Sequence, residues 1–315
     1  MKVTIVGGSG VVGSSAAFRL AQDGKATEVI LFDVRRNLAE AHALDIEQAI
    51  VHRAASRVSA GDVEETKGSD VIVMTASVPK HDVELSRREY LGVNLPLVLD
   101  MMRPLVARSP SAVWIIATSP VDPLVFLIHR TFSLPRGRVI GLNRNDTSRF
   151  LWAIARTLSI PSTEVEAFVL GEHGDSQVPL FSSIRVRGKP VSLKREIANR
   201  IRAEMSGFFR RWNELQPGRT AGWTSAESLG DIISTIALSD DRIWPCSTTL
   251  EGEYGQAGVS MGVPVRLGPD GVRDIIELPL TSAERKALDA SADSIRDMIR
   301  EGERLLKDRP ESNGT

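Results

Sequence analysis

The chain has 315 residues, 42% of them hydrophobic and 25% charged, which is enough to bury the cores of two ordinary domains. Its formal net charge of -1 provides no bulk field for nucleic acid or an anionic membrane, so we expect neither as a partner. The sequence lacks a signal-peptide pattern and a membrane-length apolar run, which predicts a cytoplasmic protein. A single cysteine excludes an internal disulfide, and five histidines without paired ligand spacing predict no metal site.

Short apolar runs alternate with segments of helical periodicity through the first half of the chain. In order, VTIV, VILF, VIVM, VWIIA and RVIGL predict strands, while residues 13–22, 38–50, a long segment ending at 106, and 121–132 predict helices. This alternation predicts an α/β fold in which a doubly wound parallel sheet of Rossmann type carries helices on both faces. We place this domain at residues 1–142.

Longer helical segments predict a second domain of α+β type over residues 143–315. Helices are predicted at 148–158, 192–215 and 282–307, with hairpin-like apolar runs near 168–170 and 182–187. A capping-box pattern from Thr281 to Glu284 predicts where the last helix begins. The final residues, DRPESNGT, predict a frayed tail.

A glycine-rich stretch, VTIVGGSGVVGSSAAFRLA, follows the first predicted strand and opens the first predicted helix. Gly8, Gly10 and Gly13 fit the spacing G-x-G-x-x-G, which on its own is also typical of a tight turn. Between a strand and a helix the spacing predicts a phosphate site. Glycines let the backbone approach the phosphate closely, and the helix start supplies N–H donors and a positive dipole end.

The second predicted strand ends at Asp33, twenty residues after Gly13. A carboxylate at this place accepts hydrogen bonds from a ribose diol and repels a 2′-phosphate, which favours NAD over NADP. The neighbouring Arg35 and Arg36 weaken this preference slightly. An ordinary solvated loop carboxylate is the alternative interpretation of Asp33.

Two further segments carry candidate catalytic side chains. In GLNRNDTSRF, Asp146 and Arg149 stand three residues apart in a helical stretch and project to one face, as they would also do in a surface ion pair. In VLGEHGDSQVP, His173 lies in a glycine-rich loop after an apolar strand. A histidine in such a loop is more often structural or exposed than catalytic, so this local pattern alone does not decide its role.

Together these features resemble the lactate and malate dehydrogenase family over nearly the whole chain, closest to its malate dehydrogenase-like members. The matching segments, in the right order, are the glycine-rich turn, Asp33, ALDIEQA, SRREYLGVN, PVD, DTSRF, GEHGDS and MGVPVRLGPDGV. The resemblance implies an NAD-dependent dehydrogenase that transfers a hydride between NADH and a small 2-keto acid, with residues 143–315 as the substrate and catalytic domain. It also implies a homodimer or homotetramer built on helices such as the one that contains Asp45.

The resemblance assigns roles to four side chains. His173 exchanges a proton with the substrate oxygen, Asp146 fixes the histidine ring, and Arg149 clamps the substrate carboxylate with its two-pronged guanidinium. Arg87 matches an arginine that the family carries on a mobile loop, where closure places a charge against the carbonyl and expels water. The alternative for Arg87 is a solvated residue in a basic run.

The same resemblance implies the cofactor contacts and part of the substrate pocket. Thr224 and Ser225, in GWTSAES, match the helix start that walls the pocket, although either residue equally suits a simple N-cap. The expected cofactor contacts lie in the glycine-rich turn and at later strand ends: Gly7, Gly8, Gly10, Val11, Val12, Gly13, Asp33, Thr75, Ala76, Asn94 and Ser119.

Two departures from the family pattern bear on the substrate. In SVPKHDVELSR, Lys80 stands where malate dehydrogenases usually have an arginine for the second carboxylate, His81 follows, and the distance to Arg87 is one residue longer than usual. If Lys80 and His81 bind the substrate, they act as two point charges on a longer loop. Such charges suit a distal phosphonate or sulfonate, as in phosphonopyruvate, at least as well as a carboxylate. Ser119 replaces a common asparagine that positions the substrate hydroxyl and the nicotinamide ribose.

Two alternative functions stay open at this point. If Lys80 and His81 face solvent and are cancelled by Asp82 and Glu84, a neutral 2-hydroxy acid fits better, as in a lactate-like enzyme. A catalytically silent NAD-binding sensor is a remote alternative, because a complete His-Asp-Arg set has no obvious use without turnover.

Overall fold

The computed structural model describes residues 1–78 and 86–308, without the side chains at positions 87 and 209. Strands and helices alternate through most of the first half of these residues, as the sequence predicts. The sequence does not predict the strand Arg57–Ala60, which is followed by another strand without a helix between them. The strands are β1 (Lys2–Val6), β2 (Glu28–Phe32), β3 (Arg57–Ala60), β4 (Val71–Met74), β5 (Val113–Ile116) and β6 (Val139–Leu142). The helices are α1 (Val11–Asp23), α2 (Arg36–Ile50), α3 (Arg87–Arg108) and α4 (Val121–Thr131).

The first six strands form a parallel sheet in the order β3-β2-β1-β4-β5-β6. This is the doubly wound Rossmann order, which confirms the predicted fold class. Every residue of β4 and β5 is buried, because helices cover both faces of the sheet. The strand order reverses between β1 and β4, so a ligand crevice is expected at the carboxyl ends of these strands.

The second half of the described chain combines helices with short strand pairs. Its helices are α5 (Arg144–Leu158), α6 (Arg195–Glu214), α7 (Trp223–Leu238) and α8 (Ser282–Lys307). Its short strands are β7 (Val165–Glu166), β8 (Val169–Leu170), β9 (Val178–Pro179), β10 (Arg185–Val186) and β11 (Lys189–Pro190). Helices α5 and α6 enclose a small core of their own around Phe150, Ile154 and Ile201.

Three strands that the sequence analysis missed, β12 (Ile243–Glu251), β13 (Ala257–Gly268) and β14 (Gly271–Ile275), extend the sheet. β12 pairs antiparallel with β6, so nine strands of the described residues form one continuous sheet. The segment IWPCSTTLE lacks the sequence pattern of a strand, because it contains a proline and three consecutive hydroxyl residues. The sheet crosses the predicted boundary at residues 142 and 143, and that boundary stays a prediction.

The start of α5 differs from the expectation, whereas the start of α8 agrees with it. Helix α5 begins at Arg144 rather than at residue 148. The sequence does not predict this earlier start, because the residues NRND are all polar and show no helical spacing of apolar side chains. The predicted capping box before α8 is present, since Thr281 Oγ1 accepts from the Glu284 N–H at 3.3 Å and the Thr281 N–H donates to Glu284 at 2.9 Å. The predicted tail from residue 309 onward lies outside the described residues.

The main hydrophobic core lies between the sheet and its helices. Trp114 of β5 and Leu95 of α3 are fully buried in it. Helix α8 packs closely on α4, where a Cβ added to Gly302 would lie 2.3 Å from Leu127 Cδ1. Within residues 1–78 and 86–308, no helix has both the length and the apolarity to cross a membrane.

Gly13 sets the distance between α1 and the turn before it. A Cβ there would lie 2.3 Å from the Gly7 carbonyl oxygen and 2.9 Å from Gly8 Cα, so the backbone must shift. We therefore expect Gly13→Ala to lower the free energy of unfolding by about 1–3 kcal/mol and to weaken NADH binding, measured by urea denaturation and fluorescence titration.

Gly92→Ala is the matched control for this prediction. Gly92 lies in α3, and a Cβ added there meets no described atom within 4 Å. Alanine is the better helix former, so this variant should be unchanged or more stable by about 0.5–1 kcal/mol. Equal destabilisation by both substitutions would contradict the steric account of Gly13.

Candidate active site

The glycine-rich turn between β1 and α1 leaves no room for side chains. A Cβ on Gly7 would lie 2.6 Å from the Ala76 nitrogen, and one on Gly8 would lie 2.9 Å from Leu31 Cα. Gly7 also has φ +85°, a conformation that side chains disfavour. Helix α1 begins after Gly10 without a side-chain cap, so its first-turn N–H groups are available as donors. The turn therefore has the close backbone approach and the donors that a pyrophosphate needs.

Asp33 lies at the carboxyl end of β2, beside the glycine-rich turn. Its Oδ2 accepts from the Ser9 N–H at 3.0 Å and its Oδ1 from the Arg35 N–H at 2.9 Å. Burial opposes ionisation, but the hydrogen bonds from Arg35 and Ser9 outweigh it and lower the pKa of this carboxyl. Asp33 is thus held as an anion whose remaining lone pairs suit a ribose diol and repel a 2′-phosphate.

Hydrogen bonds hold three predicted cofactor contacts, Thr75, Asn94 and Ser119, near the carboxyl ends of β1, β4 and β5. Thr75 Oγ1 donates to the Val6 carbonyl at 2.8 Å, which joins the end of β4 to β1. The Asn94 side chain is buried, and it accepts from the Val78 N–H at 2.9 Å and donates to the Ser119 carbonyl at 2.7 Å. Ser119 itself is exposed. The other predicted contacts flank the same strand ends and are half-buried: Val11, Val12 and Ala76.

The three side chains predicted to carry the chemistry meet at the start of α5. His173 Nδ1 lies 2.6 Å from Asp146 Oδ2, and an Arg149 N–H donates to Asp146 Oδ1 at 3.1 Å. The Asp146 side chain is 4% exposed, that of Arg149 11%, and that of His173 21%. The aspartate is therefore enclosed, while the histidine ring still reaches the surface of the crevice.

The loop that carries His173 is fastened to two distant elements. Gly171 and Gly262 of β13 exchange backbone hydrogen bonds of 2.9 and 2.8 Å. The Glu172 N–H donates to Ser291 Oγ of α8 at 2.9 Å. These anchors on β13 and α8 fix the backbone immediately before His173.

Asp122, at the start of α4, is a buried residue of the site to which the sequence analysis gave no role. Its carboxylate accepts from the backbone N–H of His173 at 2.6 Å and from the Ser247 hydroxyl at 2.7 Å. Burial raises the pKa of this carboxyl from 3.8 to about 6, against the opposing effect of both hydrogen bonds. The available signal was its place in PVD, at the start of the helix that follows the buried strand β5.

The sequence analysis also missed an aromatic wall beside Arg149, which Phe208 and Trp212 of α6 form together with Trp152 of α5. The guanidinium carbon of Arg149 lies 5.0 Å from the centroid of the Phe208 ring. Phe208 in turn stacks on Trp212 and meets the edge of Trp152, with centroid distances of 6.3 and 6.4 Å. The spacing of Phe208 and Trp212, four residues apart on one helix face, was the signal that could have found this wall.

Thr224 and Ser225 lie inside the first turn of α7, not at its cap. The helix begins at Trp223, and Gly222 occupies the cap position, so the N-cap interpretation of either residue is wrong. Thr224 is exposed, whereas Ser225 is buried and accepts a hydrogen bond from Asn145 Nδ2 at 2.9 Å.

The remaining predicted substrate contacts fall outside the described atoms. Lys80 and His81 belong to residues 79–85, and Arg87 contributes only its backbone, as the first residue of α3. Their predicted roles stay predictions. Among the residues that are described, no three His, Cys, Asp or Glu side chains gather as metal ligands.

Two family models match consecutive parts of the chain. The model described as lactate/malate dehydrogenase, NAD binding domain, matches residues 1–141. The model described as lactate/malate dehydrogenase, alpha/beta C-terminal domain, matches residues 144–306. These matches confirm the predicted family and the NAD cofactor.

Individual proteins are similar to the chain over almost its full length. A malate dehydrogenase of Chloroherpeton thalassium is 36% identical over 303 residues, which cover 94% of this chain and 97% of that protein. The solved structure of malate dehydrogenase from Salinibacter ruber has a TM-score of 0.89 at 29% identity, covering 98% and 99% of the two chains. A lactate dehydrogenase from a Medee basin deep-sea metagenome library has a TM-score of 0.89 at 27% identity, covering 96% and 98%. The chain therefore belongs to the lactate/malate dehydrogenase family and is an NAD-dependent 2-hydroxy acid dehydrogenase.

Proposed function

We propose that this enzyme reduces a 2-keto acid whose distal group is an anion, with Asp146, His173 and Arg149 as its catalytic centre. The observation that carries the proposal is the Asp146 carboxylate, which contacts the His173 ring and the Arg149 guanidinium at once. A proton-exchanging group and a carboxylate-binding group are thereby fixed relative to each other. Reduction of a 2-keto acid requires this arrangement, because its carbonyl and carboxylate are adjacent.

His173 is the proposed proton donor in reduction and the proton acceptor in oxidation. Its Nδ1 is engaged by Asp146, so the proton is exchanged through Nε2. Asp146 orients the ring and stabilises its protonated form. Arg149 binds the substrate carboxylate through two parallel N–H donors, a geometry that a lysine does not reproduce.

NAD is proposed to lie along the carboxyl ends of β1, β2, β4 and β5. Gly7, Gly8 and Gly13 provide the space for a pyrophosphate, and Asp33 provides acceptors for the ribose hydroxyls. When bound, the cofactor supplies or accepts the hydride. Ser119 is proposed to contact both the nicotinamide ribose and the substrate, from its exposed position after β5.

The finer proposal concerns the distal group of the substrate. Lys80 and His81 replace a single expected arginine, and the segment to Arg87 is one residue longer than usual. These features support a phosphonate or sulfonate in place of the second carboxylate, as in phosphonopyruvate. The names of the relatives support a distal anion, since they are malate dehydrogenases. The second candidate is a lactate-like enzyme for a neutral substrate, which the similarity to a lactate dehydrogenase structure favours.

The proposed assembly is a homodimer or a homotetramer. Helix α2, which contains Asp45, exposes 63% of Leu44, and Val51 directly after the helix is 68% exposed. Burial of such apolar side chains against a second copy would remove them from water.

Asp122 is proposed to position His173 rather than to contact the substrate. Its carboxylate holds the backbone N–H of His173 at 2.6 Å and connects it to Ser247 of β12. The histidine is then fixed at its backbone by Asp122 and at its ring by Asp146. A small displacement of a catalytic group is costly to the rate, so this double attachment favours turnover.

The proposed function is tested with a panel of 2-keto acids and NADH, followed by the loss of nicotinamide absorbance. The panel holds oxaloacetate, phosphonopyruvate, sulfopyruvate, pyruvate and a branched 2-keto acid, compared by kcat/KM. We expect an acid with a distal anion to be preferred. His173→Gln is the control, expected to lower kcat by about 100-fold or more without loss of NADH binding.

Each outcome of this panel has a defined meaning. Preference for phosphonopyruvate or sulfopyruvate supports the finer proposal, whereas preference for oxaloacetate supports a carboxylate as the distal group. Preference for pyruvate or the branched acid contradicts the distal anion. Tight NADH binding without turnover of any member contradicts the catalytic proposal and favours a silent sensor.

Asp122 is expected to make stability depend on pH. Because burial raises its pKa to about 6, the folded state holds a proton at mildly acidic pH that the unfolded state releases. Its contribution to stability therefore falls as the pH rises from about 4 to about 6. In urea denaturation, the unfolding free energy of Asp122→Asn minus that of wild type should increase by on the order of 2–3 kcal/mol across this window. A difference that stays constant with pH would contradict this prediction.

A further inference from the structure

The guanidinium of Arg149 is enclosed on one side by an aromatic ring. Its central carbon Cζ lies over the ring of Phe208, 5.0 Å from the ring centroid. One of its N–H groups donates to Asp146 Oδ1 at 3.1 Å, and only 11% of the Arg149 side chain is exposed. The electron-rich face of the ring attracts the cation, which offsets part of the cost of removing it from water.

The two contacts of Arg149 act on the guanidinium in different ways. The group is planar and carries all its N–H donors in that plane, so Asp146 is bound at its edge. Phe208 has no hydrogen-bonding side-chain atom and therefore does not compete with a carboxylate for these donors. The ring thus limits the rotation of the guanidinium without occupying any of its donors.

Phe208 is itself held between two tryptophans. Its ring stacks on Trp212, four residues later on α6, with a centroid distance of 6.3 Å and an interplanar angle of 21°. It meets the edge of Trp152 of α5 at a centroid distance of 6.4 Å and an angle of 81°. Both arrangements are favourable for pairs of aromatic rings. Phe208 is therefore restrained from both helices in its position beside Arg149.

Trp152 is fixed in turn by charged side chains. The guanidinium carbons of Arg156 and Arg211 lie 5.6 and 5.8 Å from the centroid of its ring. Both arginines also pair with Glu204, at 3.8 and 3.0 Å. A continuous set of contacts between α5 and α6 thus supports the ring beside Arg149.

We propose that Phe208 is a positioning residue for Arg149, and that its ring holds the guanidinium in the orientation in which its edge meets the substrate carboxylate. The inference rests on the proposed function, in which Arg149 binds that carboxylate, and deepens it. Two parallel N–H donors engage a carboxylate only when the guanidinium edge points at it, so a rotation of the group costs one of the two hydrogen bonds. The ring also excludes water from one side of this ion pair, which strengthens it.

The test compares Phe208→Leu with Phe208→Tyr and with the control Phe181→Leu. Leucine keeps an apolar side chain but removes the ring, whereas tyrosine keeps the ring. Phe181 is a matched control, because it is half-buried like Phe208 and the guanidinium carbon of Arg202, also on α6, lies over its ring at 4.3 Å. Arg202 has no part in the proposed catalytic centre. For each protein, kcat and KM for the preferred 2-keto acid and the affinity for NADH are measured.

We expect Phe208→Leu to raise KM by about 3- to 30-fold, the range of a partly buried cation–π contact. The effect on kcat should be smaller, because His173 and Asp146 stay in place. The pH dependence of kcat/KM, which reports the proton exchange at His173, should keep its shape, and the NADH affinity should not change. Phe208→Tyr should behave nearly as wild type, and Phe181→Leu should leave KM unchanged.

A double-mutant cycle distinguishes the positioning of Arg149 from a general loosening of the fold. In an Arg149→Lys background the planar guanidinium is absent, so Phe208→Leu has little left to disorient. We therefore expect Phe208→Leu to lower kcat/KM by a clearly smaller factor in this background than in wild type. A substitution that acts only through the stability of the fold lowers kcat/KM by the same factor in both. Phe208→Met, which also lacks a ring, replaces Phe208→Leu in the cycle if that variant does not fold.

The outcomes separate this inference from the proposed function. Wild type without turnover of any 2-keto acid, or Arg149→Lys with full activity, overturns the proposed function and the inference with it. If wild type is active and Arg149→Lys is impaired, an unchanged KM in Phe208→Leu overturns the inference alone. An equal factor in both backgrounds, or the same rise of KM in Phe181→Leu, also overturns it. A rise of KM that is specific to loss of the Phe208 ring, relieved by tyrosine and smaller in the lysine background supports it.

Discussion

The proposed catalytic centre depends on one buried carboxylate, that of Asp146. With 4% of the side chain exposed, this group is costly to enclose unless donors or cations surround it. Arg149 comes from the next turn of the same helix, and His173 comes from a loop 27 residues away. Pairing this carboxylate therefore places a carboxylate-binding guanidinium and a proton-exchanging ring on the same anchor.

The single sheet makes this convergence possible. Its parallel half brings the glycine-rich turn, Asp33 and the Asn94–Ser119 contact to one edge, because the carboxyl ends of parallel strands share that edge. Its antiparallel half holds the histidine loop, through the Gly171–Gly262 backbone bonds. Asp122 then connects the two halves, since it lies at the start of α4, the helix that follows β5, and bonds both His173 and Ser247.

The parts of the fold and of the site that the sequence predicts are those whose signals lie within one short segment of the chain. The apolar runs of β1, β4 and β5 and the glycine spacing before α1 are local, so the cofactor half and its fold class could be predicted. Strand β12 could not, because its hydroxyl residues are satisfied by distant partners, as Ser247 is by Asp122, 125 residues away. The hydrogen bond from Asn145 to Ser225 likewise joins residues 80 positions apart and leaves no periodic pattern. His173 gained a role only through the family resemblance, and its contact with Asp146 is visible only in three dimensions.

The most direct test of the catalytic centre is the substitution Arg149→Lys, compared with Arg156→Lys on the same helix. Arg156 is 63% exposed and lies outside the proposed centre. Measured with the preferred 2-keto acid, kcat/KM of Arg149→Lys should fall by about 30- to 100-fold, because a lysine loses the paired N–H donors for the carboxylate. NADH affinity should stay unchanged, and Arg156→Lys should behave as wild type. Equal activity of the two variants would contradict the role of Arg149 and, with it, the catalytic centre built on Asp146.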